Sequence, residues 1–223
     1  MQTLAIQSPI IYNNGDKAIM GDLSDKRKIE YAIENADGGT VFIITDFTNT
    51  ASYDCAKKVL QRLTEEGKLR RIARGIYEKP QYSEFLREYI VPSPDKIAHA
   101  IARNFGWTIV PCGDTALNML GLSTQVPSVW LYVSDGPYKV FSFGSTTIKF
   151  KHSTNRDISK YSYKTALVIQ AIKTLGKDNV SENAINVLRS KLTEEEKQTM
   201  LSEANTATAW VYEIIKKICG GEQ

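Results

Sequence analysis

The sequence lacks the features that mark membrane and secreted proteins. No apolar run approaches the roughly 20 residues that a membrane-spanning helix requires, and the N-terminus has neither the basic start nor the apolar core of a signal peptide. The three cysteines, Cys55, Cys112 and Cys219, are widely spaced and odd in number, which argues against a disulfide framework. We therefore expect a cytoplasmic chain without membrane association, in which the cysteines are small buried residues.

Candidate catalytic and metal-binding groups are also scarce. The two histidines, His99 and His152, belong to no motif such as His-Glu-x-x-His, and a lone histidine is usually structural. There is no Asp-x-Asp pair of the kind that holds magnesium in nucleotidyl transfer. Gly113-Asp114 is followed by neither a Walker lysine nor a glycine-rich fingerprint. The sequence therefore predicts a protein that is not an enzyme and that uses no cofactor and no metal.

The charge of the chain is concentrated in one segment. A length of 223 residues, with 42% hydrophobic and 24% charged residues, is typical of one large or two modest globular domains, and the net charge is only +3. Residues 54–79 hold eight basic and four acidic side chains, so the rest of the chain sums to about −1. The basic residues are Lys57, Lys58, Arg62, Lys68, Arg70, Arg71, Arg74 and Lys79. A local surplus of this kind is typical of a nucleic-acid-binding surface.

The same segment has the pattern of a helix followed by a hairpin. Apolar residues recur at three- and four-residue spacing at Ala56, Val59, Leu60 and Leu63. Because Ser52 can cap the start and Gly67 can end the run, we predict a helix over residues 53–66. Two extended runs follow, over residues 68–73 and 76–79. They are joined at Arg74-Gly75, where glycine suits a tight turn.

The upstream pattern completes a winged helix-turn-helix. Ser24 can cap a helix that continues to Asn35, and the β-branched run over residues 41–45 predicts a strand that can pair with the hairpin. Asp46 can cap a brief helix before the turn near Thr50. The predicted order is therefore helix, strand, helix, helix, strand, strand, and the final two strands form the wing.

The polar face of the predicted second long helix suggests a partner. Its geometry places Asp54, Lys58, Gln61 and Glu65 on one side, as long polar side chains that can reach into a major groove. The expected DNA contacts are Ser52, Tyr53, Lys57, Lys58, Gln61, Arg62, Arg70, Arg71 and Arg74. The alternative is that these charges only solvate a helix and a hairpin, in a winged helix that binds protein alone.

The rest of the chain predicts further elements of an α+β fold. Residues 1–23 form an arm, residues 24–80 the winged unit, and residues 81–223 a second module, with the boundary placed at 81–94 because Pro92 and Pro94 interrupt regular structure. That module has a mixed α/β core over residues 95–152 and helices over residues 159–219. In the core, Asp135-Gly136 is predicted as a hairpin turn between two strands. In the helical part, Ser181 and Thr193 are predicted caps, Thr193 in a capping box with Glu196.

The most distinctive string outside the winged unit is PCGDTALNMLGLSTQVP, over residues 111–127. It is predicted as a short helix that leads into a polar turn ended by proline. Asn118, Ser123, Thr124 and Gln125 are hydrogen-bonding residues, and their simplest role is to fix that turn.

Three strings along the chain carry a family resemblance. They are Thr45-Asp46-Phe47, the wing sequence Arg74-Gly75-Ile76-Tyr77 with a proline soon after it, and Ala116-Leu117-Asn118 leading into LGLSTQVP. Together they resemble the AbiEi-like antitoxins of the type IV, abortive-infection toxin–antitoxin systems of phage defence in bacteria. The resemblance runs from about residue 24 to the last helix, and LGLSTQVP is its most specific part.

The resemblance implies a function for each half of the chain. It implies an N-terminal winged helix that binds double-stranded DNA at its own operon's promoter, and a C-terminal module that counters a nucleotidyltransferase-type toxin. We therefore interpret the chain as a DNA-binding antitoxin and transcriptional autorepressor. The alternative is an adaptor that binds only protein, and a third class is a nuclease or nucleotidyltransferase with an unrecognised site. Salt dependence separates the first two, because phosphate contacts release counterions.

Overall fold

The computed structural model describes residues 23–153 and 158–220, which divide into two units between Gly106 and Trp107. Both units combine helices with small sheets, so the α+β prediction is confirmed. The predicted arm over residues 1–23 lies, except for Leu23, outside the described residues. Across the described ranges, no helix combines the length and apolar character needed to cross a membrane.

The first unit begins with a winged helix. Its elements are α1 (Asp25–Asn35), β1 (Val41–Ile43), a 3-10 turn (Ile44–Phe47), α2 (Tyr53–Glu65), β2 (Arg70–Ala73) and β3 (Ile76–Glu78). The strands form an antiparallel sheet in the order β1-β3-β2. This matches the predicted order, with the 3-10 turn in the position of the brief helix.

Local signals position these elements as predicted. The Ser24 hydroxyl accepts a hydrogen bond from the backbone N–H of Arg27, and the Ser52 hydroxyl accepts one from that of Cys55, so both helices begin at capped residues. Gly75 has a φ of +78° at the wing turn, a conformation that glycine adopts without strain. The apolar faces of the two helices pack around Phe42 and Phe47, which are fully buried.

The first unit extends beyond the predicted boundary at 81–94. After β3 the chain forms a two-stranded hairpin, β4 (Tyr82–Ser83) and β5 (Glu88–Tyr89), and then α3 (Pro94–Phe105), which packs against β1. The prolines that predicted a linker instead lie before a helix: Ser93 caps α3 and Pro94 occupies its first turn. The boundary prediction is therefore wrong, and the helix assigned to the second module belongs to the first unit.

A buried ion pair holds α3 on the winged helix. The Arg103 guanidinium donates to both carboxylate oxygens of Asp46, at 3.1 and 3.2 Å, and to the carbonyl of Val41 at 3.0 Å. Asp46 also accepts from the backbone N–H of Ile43 at 2.9 Å. The side chains of Asp46 and Arg103 are only 4% and 11% exposed. This network links β1, the 3-10 turn and α3.

The second unit is a four-stranded sheet followed by a helical cluster. Its elements are β6 (Ile109–Pro111), α4 (Asp114–Met119), β7 (Val129–Ser134), β8 (Lys139–Phe143), β9 (Thr146–His152), α5 (Tyr163–Leu175), α6 (Glu182–Ser190), α7 (Glu194–Glu203) and α8 (Ala209–Cys219). The sheet order is β6-β7-β9-β8. The predicted caps are confirmed: Ser181 begins α6, and Thr193 with Glu196 forms the capping box of α7.

The predicted hairpin at Asp135-Gly136 is wrong, because β7 pairs in parallel with β9 and β8 pairs with β9. The turn is held by contacts with β9 and with the two residues before β6. The Asp135 carboxylate accepts from the backbone N–H of Thr108 at 2.8 Å, and Nδ1 of His152 lies 2.9 Å from the Gly136 carbonyl. A Cβ at Gly136 would lie 2.3 Å from the Trp107 ring. In the sheet, β9 therefore lies between β7 and β8.

The turn after α4 is fixed as predicted. The Asn118 side-chain amide donates to the carbonyls of Gln125, at 2.9 Å, and Ser123, at 3.5 Å. The Ser123 hydroxyl accepts from the backbone N–H of Gln125 at 3.2 Å. The structural role that the sequence predicted for Asn118 and Ser123 is therefore confirmed.

We predict that removing one partner of the buried Asp46–Arg103 pair strongly destabilises the first unit. Arg103→Ala leaves a buried carboxylate without its cation and should lower the free energy of unfolding by about 3–5 kcal/mol. Urea unfolding followed by far-UV circular dichroism measures this change. Adding Asp46→Ala to Arg103→Ala should cost much less than Asp46→Ala alone, because the charge is already unpaired.

The matched control is Arg27→Ala, which removes an exposed arginine that pairs with Glu30 and Glu34 on α1. Exposed pairs contribute much less to stability than the loss of one partner of a buried pair costs. Equal losses for Arg27→Ala and Arg103→Ala would contradict the role assigned to the buried pair.

Candidate nucleic-acid interface

The side of α2 that faces away from the core carries most of the predicted DNA contacts. Ser52, Tyr53, Lys57, Lys58 and Gln61 are all exposed, and half of the Tyr53 side chain is accessible. Ala56, Val59, Leu60 and Leu63 are buried on the opposite side. The amphipathic geometry predicted from the sequence therefore places these five residues on one accessible surface.

Arg62 has a different environment. Its guanidinium forms ion pairs with Glu30 of α1 and with Glu66 at the end of α2. The Arg62 Nε is buried and has no hydrogen-bond partner in the described part of the chain. This arginine ties the two helices together, which argues against the predicted DNA contact. The signal was Glu66, four residues later in the sequence.

Arg70 is also engaged inside the first unit. Its guanidinium lies 2.6–2.8 Å from the Glu78 carboxylate across the wing strands, and it donates to the Ile90 carbonyl at 3.2 Å. Glu78 is only 1% exposed, and burial raises its pKa, against the opposing effect of the hydrogen bond and charge of Arg70. Arg70 is the counter-ion of a buried carboxylate. The sequence predicts a DNA contact at Arg70 because neighbouring residues do not reveal the strand register that places Glu78 inward.

Two further cations of the basic segment have structural roles. The Lys79 ammonium donates to the carbonyls of Glu34 and Ala36, both at 2.7 Å, and so satisfies carbonyls at the end of α1. Lys68 pairs with Glu66 at 3.1 Å. With Arg62 and Arg70, these lysines account for half of the eight basic residues counted in the sequence.

The other four cations remain available on the surface. Lys57 and Lys58 lie on α2, and Arg71 and Arg74 lie on the wing, all of them exposed. Within residues 23–153 and 158–220, none of the four has an ion pair, although Arg71 Nε donates to the Ala73 carbonyl at 3.4 Å.

The acidic residues of the segment divide in the same way. Glu66 and Glu78 are paired, whereas Asp54 is exposed and Glu65 accepts a hydrogen bond from Gln61 at 3.3 Å. The available surface therefore has four cations and two carboxylates. Its surplus is two positive charges, whereas the surplus of the whole segment is four.

A groove beside α2 adds one cation that sequence reasoning missed. The groove is lined by Lys26, Ser52, Asp54, Cys55, Lys58, Val59 and Arg62. Lys26 lies in the first turn of α1 and is exposed. The first turn of α1 therefore lies beside the start of α2, where a recognition helix meets base edges. The local pattern of α1 identified its apolar face but gave no reason to place Lys26 near α2.

The histidines and cysteines have surroundings that fit structural roles. His99 lies on α3 with Nε2 3.6 Å from Asp95, and burial lowers its pKa. Cys112 is buried as predicted, and burial raises its pKa to about 11, whereas Cys55 and Cys219 are only partly buried. Among the described residues, no group of three or more His, Cys, Asp or Glu side chains is arranged to hold a metal ion.

The fold and this surface define a winged-helix protein with a cationic helix and wing. The chain belongs to a family of unknown function, DUF6088, whose model matches residues 28–200. The match begins within α1 and ends within α7, so it spans both units. No curated protein matches the chain.

We predict effects of different size on stability for two adjacent wing arginines. Arg70→Ala leaves Glu78 buried without its partner and should lower the free energy of unfolding by about 1–3 kcal/mol. Arg71→Ala removes an exposed side chain and should change it by about 0.5 kcal/mol or less. Urea denaturation of both variants provides the comparison. A larger loss for Arg71→Ala would show that the two side chains have been assigned the wrong roles.

Proposed function

We propose that the protein binds duplex DNA through α2 and the wing. The observation that carries this proposal is that Lys57, Lys58, Arg71 and Arg74 remain exposed and outside ion pairs in the described structure, whereas Arg62 and Arg70 are engaged internally. A protein surface that must contact phosphates needs cations that are not already neutralised.

The geometry suggests how each part contacts the duplex. With 13 residues, α2 is about 20 Å long and can lie in a major groove. Tyr53, Lys57, Lys58 and Gln61 are then the side chains nearest the base edges and the flanking phosphates. Arg71 and Arg74 on the wing reach the adjacent backbone or the minor groove. Ser52 keeps its role as the helix cap and adds, at most, a contact at the start of α2.

We further propose that this DNA is the promoter of the protein's own operon, and that the protein is a non-enzymatic antitoxin and autorepressor. On this proposal, the second unit counters a nucleotidyltransferase-type toxin. The support is the resemblance to AbiEi-like antitoxins carried by the Thr45-Asp46-Phe47, wing and LGLSTQVP strings. A gene for a nucleotidyltransferase beside this one would support the antitoxin role. Its absence would remove support for the antitoxin role and would not affect the DNA-binding proposal.

The motif residues themselves have structural roles. Asp46 holds Arg103, Phe47 is fully buried, and Asn118 and Ser123 fix a turn. A resemblance carried by such residues supports a common fold more directly than a common partner. DNA binding therefore rests on the exposed cations of this chain, and toxin neutralisation rests on the resemblance alone.

The second candidate is a winged-helix adaptor that binds protein. The exposed carboxylates of Asp54 and Glu65 favour it, because acidic groups on a recognition helix repel phosphates. Within residues 54–79, the available surface keeps a surplus of only two positive charges. The salt dependence of binding decides between the candidates, since each phosphate contact adds to the slope.

We predict that Arg71 and Arg74 make phosphate contacts. Replacing both with alanine should flatten the slope of log K against log salt concentration by about 0.9 per lost contact, so by about 1.8. Fluorescence anisotropy with a fragment from upstream of the gene measures the slope. Lys173→Ala with Lys177→Ala is the matched control, because it removes two exposed cations from the second unit. Equal slopes for the two double variants would contradict the proposed interface.

We predict that Lys58 and Gln61 contribute to sequence discrimination. If either side chain makes a bidentate base contact, its replacement by alanine should reduce the preference for the upstream fragment over random DNA by about 1–3 kcal/mol. Competition binding at fixed salt measures this preference. Lys57→Ala provides the comparison on the same helix. Equal losses on both DNAs would assign Lys58 and Gln61 to the phosphate backbone.

A further inference from the structure

The hairpin after the wing exposes an unusual amount of apolar surface. Eleven large hydrophobic side chains are exposed in the described structure, and six of them lie within residues 82–91. They are Tyr82, Phe85, Leu86, Tyr89, Ile90 and Val91. Phe85 at the tip is 93% exposed. Contiguous apolar surface of this kind marks an interaction site.

The hairpin is anchored at its base, so the tip is presented in a defined position. Arg70 donates to the Ile90 carbonyl, and the Tyr82 and Tyr89 rings pack edge to face at 5.3 Å between centroids. A Cβ at Gly38 would lie 2.9 Å from the Gln81 Cβ, so the loop before β1 packs closely against the hairpin. Within the tip, the Ser83 hydroxyl accepts from the backbone N–H of Leu86 at 3.2 Å.

A groove lies beside the base of the same hairpin. It is lined by Glu30, Ile33, Glu34, Leu63, Gly67, Lys68, Lys79, Pro80 and Tyr89, and has a volume of about 320 Å³. The apolar residues of the lining are Ile33, Leu63, Pro80 and Tyr89; Ile33 and Leu63 are nearly fully buried, whereas Tyr89 is 63% exposed. The volume accommodates an aromatic side chain. Because Phe85 is almost fully exposed, the groove is not occupied by the tip of its own chain.

The charges of the tip and the groove are complementary. Glu84 and Arg87 flank Phe85 and Leu86 at the tip, and the rim of the groove carries Glu34 and Lys68. The Glu34 and Lys68 side chains are 43% and 55% exposed. Within the chain, Glu34 pairs with Arg27 at 3.6 Å and Lys68 with Glu66 at 3.1 Å. Both side chains stay exposed enough for Arg87 and Glu84 of a second copy to add one contact to each pair. The tip also has two glutamates, Glu84 and Glu88, and only one arginine, which disfavours insertion into DNA.

We propose that two copies of this chain form a symmetric dimer by exchanging hairpin tips. Phe85 and Leu86 of one copy occupy the groove between α1, the end of α2 and β5 of the other. Because the tip and the groove belong to the same unit, one two-fold operation satisfies both copies and closes the assembly. The inference does not depend on DNA binding.

The first test measures the mass of the full-length protein by sedimentation velocity across the micromolar range, without DNA. The wild-type chain should show a monomer–dimer equilibrium. Phe85→Asp should raise the dimer dissociation constant by about 30-fold or more, the effect typical of removing a buried aromatic anchor. Tyr138→Asp is the control, because it places the same charge at an exposed aromatic position of the second unit.

The second test is a charge exchange. Arg87→Glu and Glu34→Arg should each weaken the dimer, and the chain that carries both changes should recover the wild-type dissociation constant. Thermal unfolding confirms that each variant is folded. A monomeric wild-type protein, a dimer that survives Phe85→Asp, or a double variant no stronger than the single ones would overturn the proposal. A dimer that binds no DNA would instead overturn the proposed function alone.

Discussion

The bidentate ion pair between Arg103 and Asp46 is the constraint on which the first unit depends. Asp46 receives one side chain from α3 and one backbone N–H from β1, and it lies in the turn that leads to α2. Burial raises the pKa of Asp46, although the charge of Arg103 acts in the opposite direction. Such a pair adds little net stability, but its loss is costly. Its effect is to fix the direction in which the chain approaches α2.

The charged side chains of the winged unit either connect its elements or remain on its exposed surface. Its strands are only three or four residues long, so the sheet supplies little cohesion, and side-chain pairs connect the elements instead. Arg62 joins two helices, Arg70 neutralises a buried glutamate, and Lys79 caps the end of α1. A count of basic residues therefore overstates the surface available to a ligand. Within residues 54–79, the cations that are exposed and outside ion pairs are Lys57 and Lys58 on α2 and Arg71 and Arg74 on the wing.

The sequence predicted those features that neighbouring residues determine. The caps at Ser24 and Ser52 and the turn at Gly75 depend on groups a few residues away, and their predicted positions agree with the structure. Apart from Arg62, which pairs with Glu66 four residues later, the errors concern pairing between segments whose register is not local. Nothing near Pro94 shows that α3 joins the first unit, because its partner Asp46 precedes Arg103 by 57 residues. The parallel pairing of β7 with β9, and the role of Arg70, depend on register in the same way.

The proposed dimer contact and the proposed DNA contact lie at different ends of the first unit. In the wing, Arg70 lies opposite Glu78 at the base, where the β4–β5 hairpin begins. Ala73 lies opposite Ile76 beside the wing turn. The groove beside the hairpin likewise lies near the C-terminal end of α2, whereas Ser52 lies at the N-terminal end of that helix. Tip exchange therefore leaves Lys57, Lys58 and Arg74 uncovered. One copy offers few phosphate contacts. When two associated copies bind one duplex, their phosphate contacts add, which increases both the affinity for DNA and its dependence on salt. Association through the hairpin would thus compensate for the small charge surplus of each winged helix.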